Sequence, residues 1–188
     1  IAAIKKAAKD ENIKGIDLQS QFPSMGWSQA QSIRKALNEF KAEGKFIYSY
    51  GDYYSQKGYY LASVSDSIFL NPLGGMEFKG LAAEVLYYKD FQDKYGFKME
   101  VVRHGKYKSA VEPYLESEMS VANRTQIQSL LNSIWGTVSE EIETSRSLSA
   151  AKLKSIAEEL PEGVNIVYKE NPDQFNQQFL FVTEWRNK

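Results

Sequence analysis

The sequence predicts an α/β fold with a largely parallel sheet. Short apolar segments alternate with amphipathic segments of about 10–15 residues, and this order is typical of βαβ units. Right-handed crossovers between such strands make neighbouring strands parallel. The 188 residues, 43% of them hydrophobic and 25% charged, are enough for one sizeable core in an ordinary globular protein.

The first elements follow from apolar spacing. In order, we expect a helix from Ile1 that residues 10–12 break, a strand at 13–18, a loop at 19–26, a helix at 27–43 and a strand at 46–50. The helix at 27–43 carries apolar residues at steps of three and four, and Gly44 follows it where a helix-ending glycine belongs.

The same alternation continues along the chain. We expect a loop at 51–58, a helical segment at 59–64, a strand at 67–70, a turn cluster at 71–75, a helix at 81–95 closed by Gly96, and a strand at 97–102. The strongest helix pattern begins near Ser120, with Ser120 or Asn123 as its cap. A helix at 150–160 and a strand within 179–183 complete the prediction.

Composition excludes several classes of function. The net charge of −1 shows no nucleic-acid footprint, and the absence of cysteine removes thiol catalysis, disulfides and thiolate metal sites. One histidine cannot build a usual zinc site. The glycines at 74, 75 and 80 match no phosphate-binding motif, so we expect no cofactor.

We expect no membrane anchor within these 188 residues. No apolar run approaches the roughly 18 residues that a membrane-spanning helix needs. The first residue, Ile1, opens in the middle of a helical pattern. We therefore expect a piece of a longer protein, and the missing anchor says nothing about that protein.

Lys108 is the residue whose setting most suggests chemistry. It follows an apolar run at 99–102 that reads as a buried strand, and it lies between Tyr107 and Ser109. If its side chain turned inward, burial would lower its pKa, and a neutral amine is a general base. An exposed loop lysine is the alternative that spacing leaves open. The neighbouring His104 reads as an exposed or hydrogen-bonded loop residue.

The spacing of most carboxylates is typical of solvent-exposed faces, and no pair of them is recognisable as an acid/base couple. The members of these faces are Glu39, Glu43, Glu140, Glu141, Glu143, Glu158 and Glu159. Glu112 lies near Lys108 and could steer a substrate or form an ion pair with Lys106. The tyrosine pairs at 53–54 and 59–60 are expected in a core or an interface.

Three runs together resemble a known family. They are Gly51-Asp52-Tyr53-Tyr54-Ser55-Gln56-Lys57-Gly58-Tyr59-Tyr60-Leu61-Ala62-Ser63, Gly80-Leu81-Ala82 with Leu86-Tyr87-Tyr88-Lys89, and Gly105-Lys106-Tyr107-Lys108-Ser109-Ala110-Val111-Glu112-Pro113. Over roughly residues 1–160 the chain is similar to the amino-terminal half of the long-form signal peptide peptidases, also called protease IV. On this resemblance, residues 1–160 are the amino-terminal peptidase repeat, and residues 161–188 are an unassigned tail that departs from the family pattern.

The resemblance implies a bacterial, membrane-associated serine peptidase of the ClpP/crotonase-like superfold, built from repeated ββα and βαβ units. It implies a Ser/Lys dyad that degrades cleaved signal peptides by acyl transfer on the extracytoplasmic, periplasmic side. The expected partners are signal peptides, a carboxyl-terminal repeat that carries the nucleophile, and further copies in a homo-oligomer, a tetramer in the family.

Carried over by residue, the resemblance makes Lys108 the general base, while Lys106 occupies a variable position. The serine pattern of the family's second repeat places its serine on Gln56 and its paired glycines on Lys57 and Gly58. Ser55 stands one place early, so we interpret it as structural. The chain alone is therefore expected to be inactive, because a nucleophile needs both a base and oxyanion donors.

Two alternative functions remain open. Acyl-CoA hydratase or isomerase chemistry on the same superfold would need carboxylate bases and glycine-rich oxyanion loops, which the sequence does not place. A non-catalytic scaffold that builds an oligomer or binds peptides needs neither, and the orientation of Lys108 separates it from the peptidase.

Overall fold

A computed structural model of the chain describes residues 1–19, 22–100, 109–159 and 179–181. It is a mixed α/β structure that divides into two compact units. The first unit comprises residues 1–80 and 137–188, and the second comprises residues 81–136. The expected boundary at residue 160 stays a prediction, since most of residues 161–188 lie outside the described part.

The first unit contains a parallel sheet. Its elements are α1 (Ala2–Lys9), β1 (Gly15–Leu18), α2 (Trp27–Ala42), β2 (Phe46–Tyr54), α3 (Gln56–Ala62), β3 (Ser67–Met76), α7 (Ala150–Glu159) and β4 (Phe179–Phe181). The strand order is β1-β2-β3-β4, and each neighbouring pair is parallel. The prediction of a largely parallel sheet is confirmed, and β4 lies within the expected strand at 179–183.

The core of the first unit joins the helices before β2 to the sheet. Leu37 and Phe40 on α2 pack with Ile47 on β2, Ala8 on α1 and Val64 after α3. Ala8, Leu37 and Phe40 lie on the apolar faces that the residue spacing predicts for α1 and α2. Burial of such side chains is the main favourable term in folding.

The expected tyrosine core is confirmed at three of its four positions. Tyr54, Tyr59 and Tyr60 are buried, and Tyr53 is half-buried with its ring stacked on Phe22 at 5.1 Å between centroids. Burial raises the pKa of Tyr54 and of Tyr59 to about 12 each. The Tyr54 hydroxyl is 2.8 Å from the hydroxyl of Ser49, which satisfies a polar group in the interior.

Arg34 is a buried cation that the apolar pattern of α2 did not reveal. Its side chain is 2% exposed, and its Nε lies 3.1 Å from a carboxylate oxygen of Glu141. Burial lowers the pKa of Arg34, while the charge of Glu141 opposes that shift. The Tyr60 hydroxyl also donates to this carboxylate, over 2.5 Å. The expectation that Glu141 belongs to a merely solvated face is therefore wrong.

The segments predicted as a loop at 51–58 and as turns at 71–75 are strand over much of their length. β2 continues to Tyr54, and β3 continues to Met76. The pairing of the two strands shifts its register between Gly51 and Tyr53 of β2. A Cβ at Gly74 would lie 1.9 Å from the carbonyl oxygen of Asp52. Gly74 therefore permits a close approach of the two strands. The sequence had predicted a turn at this glycine.

The second unit is helical in its described part. Its elements are α4 (Lys89–Tyr95), a 3-10 turn (Ser109–Val111), α5 (Glu112–Leu115) and the first part of α6 (Val121–Arg146), which continues into the first unit. The helix expected from residue 81 begins only at Lys89, because the amide of Tyr88 donates over 2.7 Å to the carbonyl of Pro113. That bond replaces the one to residue 84 that a longer helix requires.

The strand expected at 97–102 is not formed over residues 97–100, and residues 101–102 lie outside the described part. Phe97 is 64% exposed and Met99 is 46% exposed, so the apolar run does not form a buried strand there. The helix-ending roles of Gly44 and Gly96 are confirmed by positive φ angles of 77° and 73°. In the described part of the chain, no helix is both long enough and apolar enough to cross a membrane.

Candidate active site

The residues singled out from the sequence fall in both units. Ser55, Gln56, Lys57 and Gly58 lie at the start of α3 in the first unit. His104, Lys106 and Lys108 lie outside the described residues, so the role of Lys108 stays a prediction. Glu112 is described, in the second unit.

Ser55 is the N-cap of α3. It has extended backbone angles, and its hydroxyl accepts a hydrogen bond from the N–H of Gly58 over 3.1 Å. A serine at this position satisfies one of the amides that the first turn of a helix leaves without a partner. The interpretation of Ser55 as structural agrees with this geometry.

Gln56 occupies the position that the family resemblance gives to the nucleophile. Its Oε1 accepts from the backbone N–H groups of Lys79 and Gly80, over 2.9 Å each. Its Nε2 donates over 2.8 Å to the carbonyl of Gly80. The side chain is thus a clamp between α3 and the chain after β3. The sequence did not predict these hydrogen bonds of Gln56, because nothing close to Gln56 in the chain indicates a partner 24 residues away.

Lys57 is also held by the fold. Its ammonium group donates to the carbonyl of Met25 and lies 5.4 Å from the centroid of the Trp27 ring. The neighbouring Gly58 is buried, and its N–H donates to the hydroxyl of Ser55. All four of these residues thus have structural contacts within the first unit.

Asp52 lies near the end of β2 and connects this strand to β3. Its carboxylate accepts from the hydroxyl of Tyr50 and from the side-chain amide of Asn71, over 2.7 Å in each case. These hydrogen bonds, Tyr50 first and Asn71 second, lower the pKa of Asp52. The motif Gly51-Asp52 therefore joins β2 to β3 in this chain.

Glu112 is a buried carboxylate directly after the Lys108 segment. It is 4% exposed and accepts from the Ser120 hydroxyl over 2.5 Å and from the Asn123 side-chain amide over 2.8 Å. The hydroxyl of Ser120 in turn accepts from the backbone N–H of Asn123 over 3.2 Å, which confirms Ser120 as a cap of α6. The ion pair of Glu112 with Lys106 that the sequence suggested stays a prediction, because Lys106 lies outside the described residues.

Tyr87 adds a buried hydroxyl to this cluster. Its pKa is raised, first because its phenol is removed from water and second because the Glu112 carboxylate is near. An apolar wall for Lys108, to which residues 101, 102, 110 and 111 could contribute by their place in the sequence, stays a prediction. Ala110 is exposed, Val111 is half-buried, and residues 101–102 lie outside the described part.

The described residues do not test the hydratase alternative. They hold no group of three or more carboxylate, histidine or cysteine side chains that could bind a metal ion. An open depression on α6 is lined by Ala122, Thr125, Gln126 and Ser129, and none of these is a carboxylate.

Comparison with known proteins adds direct relatives. A family model described as Peptidase family S49 matches residues 39–163. "Protease 4" of Salmonella typhi is 36% identical over 168 residues, which are 89% of this chain and 27% of that protein. "Protease 4" of Haemophilus influenzae is 33% identical over 185 residues, 98% of this chain and 30% of that protein.

A plant protein extends the comparison. "Serine protease SPPA, chloroplastic" of Arabidopsis thaliana is 32% identical over 130 residues, 69% of this chain and 19% of that protein. The chain thus spans at most 30% of the length of these curated relatives.

Proposed function

The chain belongs to peptidase family S49, and on that premise we propose that it is the lysine-donating half of a membrane-associated serine endopeptidase that degrades cleaved signal peptides. The bacterial relatives and the plant relative are all named as proteases, which supports a peptidase. Lys108 is the general base, and the serine nucleophile belongs to a second repeat outside this chain.

The observation that carries this proposal is the contrast between two motifs in the matched region. The run Gly105 to Pro113 keeps the lysine motif in full, whereas the loop at 55–58 has no serine in the nucleophile's place. That loop has become part of the fold, since Gln56 clamps Gly80 and Ser55 caps α3. A chain that spans 27–30% of its bacterial relatives leaves room for a second repeat elsewhere in the protein.

The proposed reaction is acyl transfer. The serine oxygen attacks the peptide carbonyl carbon while the neutral amine of Lys108 takes the hydroxyl proton. When the carbon–nitrogen bond breaks, Lys108 returns that proton to the leaving amine, and an acyl ester remains on the serine. Water then attacks the ester, with Lys108 again as base, and releases the carboxylic acid and the free serine.

This mechanism requires a lysine with a pKa well below the ordinary value. Burial away from water disfavours the ammonium form and so favours a neutral base. The second repeat and the peptide substrate would supply part of that apolar wall, since Ala110 is exposed and Val111 half-buried in this chain. We therefore propose that the chain alone is inactive.

The finer family properties belong to the same proposal. They are the ClpP/crotonase-like superfold, assembly as a homo-oligomer, and action on the extracytoplasmic side of the membrane. The small parallel sheet with its βαβ connections supports the superfold. Membrane association and oligomerisation rest on the family resemblance alone.

The test is a pair of substitutions in the complete protein that contains this chain. Lys108→Met removes the amine and keeps much of the side-chain volume, and we expect the hydrolysis of a signal peptide to fall by at least about 100-fold. Lys106→Met is the matched control, since it removes a lysine two residues away at the variable motif position. We expect it to change the rate by less than about threefold.

The outcomes also separate the peptidase from a scaffold. Wild-type hydrolysis by a folded Lys108→Met protein would refute the lysine base and favour a non-catalytic domain. Equal losses in both lysine variants would indicate a general charge effect and would also contradict the assignment.

A further inference from the structure

We propose that the outer face of the sheet in the first unit is a docking surface for the basic and apolar part of a signal peptide. This outer face is the one turned away from the helices, and it carries Phe46, Tyr48 and Tyr50 of β2, Phe69 of β3 and Asp17 of β1. The inference rests on the proposed function, because that function supplies the peptide. It gives the peptide a binding surface built from residues of the first unit.

The helices of the first unit pack on one face of its sheet. Strands β1 to β4 follow in order and are all parallel, and right-handed crossovers between strands in that order place every connecting helix on the same face. Ile47 of β2 belongs to this inner face, since it packs with Leu37 and Phe40 of α2. Parallel sheets are normally covered on both faces, so the outer face is where a partner of the first unit is expected.

The outer face presents a row of aromatic rings. Side chains alternate along a strand, so the neighbours of Ile47 on β2 point outwards. Phe46 is 44% exposed and Tyr48 is 41% exposed, and their ring centroids are 4.9 Å apart. The rings of Tyr48 and Phe69 are nearly perpendicular, with 6.1 Å between centroids. The ring of Phe46 lies over Gly15 of β1, where a Cβ would overlap it. These rings form a platform across three strands, and an apolar chain that lies on it is removed from water.

The charge of the outer face is negative. Within the described strands β1, β2 and β3, the only charged residues are Asp17 and Asp52, and both are exposed. Asp17 is the register partner of Tyr48. Asp52 accepts from the hydroxyl of Tyr50 and from the side-chain amide of Asn71, and these hydrogen bonds lower its pKa. A surface that combines aromatic rings with carboxylates attracts a partner that is both apolar and basic.

Charge separates the candidate partners of this face. A second copy that met it through a two-fold axis would bring Asp17 and Asp52 against the same carboxylates, which repel each other. The headgroups of anionic lipids and the phosphates of nucleic acids carry the same sign of charge as these carboxylates. A signal peptide has basic residues followed by an apolar stretch of about 7–15 residues. The basic residues fit the two carboxylates, and the apolar stretch fits the platform of rings.

The test compares variants of the complete protein that contains this chain. The probe is a synthetic peptide with lysines at its amino terminus and an apolar stretch of about ten residues. Its Kd is measured in the Lys108→Met background, and its KM and kcat in the active protein. For Tyr48→Ser, which removes the central ring, we expect Kd and KM to rise by about 5–20-fold while kcat stays within about twofold. Tyr95→Ser, at an exposed tyrosine of the second unit, is the matched control and should change Kd and KM by less than about twofold.

Asp17→Asn tests the role of charge, because it removes the charge and keeps an oxygen that can accept from the Gln19 amide. We expect Kd for the lysine peptide to rise by about two- to fivefold at low salt. For a peptide with glutamines in place of the lysines, we expect no such rise, since the pair of charges is then already broken. Glu11→Gln is the control, because Glu11 is exposed between α1 and β1, outside the sheet, and it should leave Kd for both peptides unchanged.

The outcomes distinguish this inference from the proposed function. Wild-type Kd and KM in both Tyr48→Ser and Asp17→Asn would overturn the docking surface, whatever the result with Lys108→Met. A changed sedimentation coefficient of Tyr48→Ser would make the face a contact between copies, and a large loss of Tm with unchanged KM would show that another part of the protein covers it. Either result overturns the inference. If Lys108→Met still hydrolyses the peptide, the proposed function fails, and the KM values of the face variants decide the docking surface by themselves. Should Tyr48→Ser not fold, Asp17→Asn with the two peptides decides it.

Discussion

Gln56 and Gly80 exchange two hydrogen bonds, from the N–H of Gly80 to Oε1 over 2.9 Å and from Nε2 to the carbonyl of Gly80 over 2.8 Å. This reciprocal pair connects the first turn of α3 to the end of the first segment of the first unit. A serine in place of Gln56 is too short to form these two hydrogen bonds. In this chain, the position that the family resemblance gives to the nucleophile holds a side chain that stabilises the fold.

Replacing Gln56 by Ser should therefore destabilise the fold without creating a peptidase. We expect the free energy of unfolding to fall by about 1–3 kcal/mol, because the two amides of Lys79 and Gly80 lose their acceptor. Urea unfolding of the chain measures this loss. Gln126→Ser on the exposed side of α6 is the control and should cost less than about 1 kcal/mol. Peptidase activity of the Gln56→Ser chain by itself would contradict the assignment.

Substitution of Ser55 separates a cap from a nucleophile. Ser55→Ala should lower the free energy of unfolding by about 1 kcal/mol, since the N–H of Gly58 loses its acceptor. Ser55→Asp keeps an N-cap acceptor and should retain most of the stability. Neither change should reduce signal-peptide hydrolysis by the complete protein, except through stability. If both variants were folded and inactive, Ser55 would have to be reinterpreted as part of the active site.

Arg34→Met tests the buried cation of α2. The guanidinium pairs with Glu141 and donates to the hydroxyls of Ser63 and Ser145. Breaking a buried pair by removing one partner costs about 3–5 kcal/mol, and we expect a loss near the lower end because Glu141 remains partly accessible to water. Thermal and urea unfolding of the chain measure it. Lys35→Met, at the neighbouring exposed position, should change stability by less than about 0.5 kcal/mol.

Asp66 should make stability depend on pH on the acid side. Burial raises the pKa of Asp66, but hydrogen bonds from Lys41 and the Ile47 N–H, with the charge of Lys41, outweigh it and lower the pKa overall. Because the folded pKa lies below the unfolded one, the stabilisation is complete above about pH 5 and is lost as the pH falls through the folded pKa.

The comparison of wild type with Asp66→Asn measures that contribution. The difference in free energy of unfolding should be constant near neutral pH and should shrink between about pH 5 and pH 2. Urea unfolding at a series of pH values at fixed ionic strength gives the curve. A difference that stays constant down to about pH 2 would show that the carboxylate of Asp66 is not preferentially ionised in the folded chain.

The long helices and the parallel sheet could be predicted from the sequence because their signals are local and repeated. The stripe of α2 and the apolar series of α6 each run over several turns, and Gly44 and Ser120 mark ends by the backbone chemistry of those positions. Lys108 could be identified only through a family motif, and its surroundings stay a prediction.

The errors arose where contacts distant in sequence decided the outcome. Gly51-Asp52 and the glycines at 74–75 are typical turn residues, yet β2 and β3 pair past them because Gly74 allows a close approach to Asp52. The helix expected from residue 81 is shortened because Tyr88 donates its N–H to Pro113, which no local pattern indicates.

The sequence by itself determined the α/β class and the boundaries of the strongest helices, since each is set by residue type and spacing. The roles expected of Lys108 and of the Gln56 position came from the family resemblance. Only the tertiary structure decided that Gln56 clamps Gly80, that Arg34 and Glu141 form an interior pair, and that Glu112 is held by Ser120 and Asn123. The physical reason is that a polar side chain can be buried only where donors and acceptors converge on it, and that convergence exists only after the chain has folded.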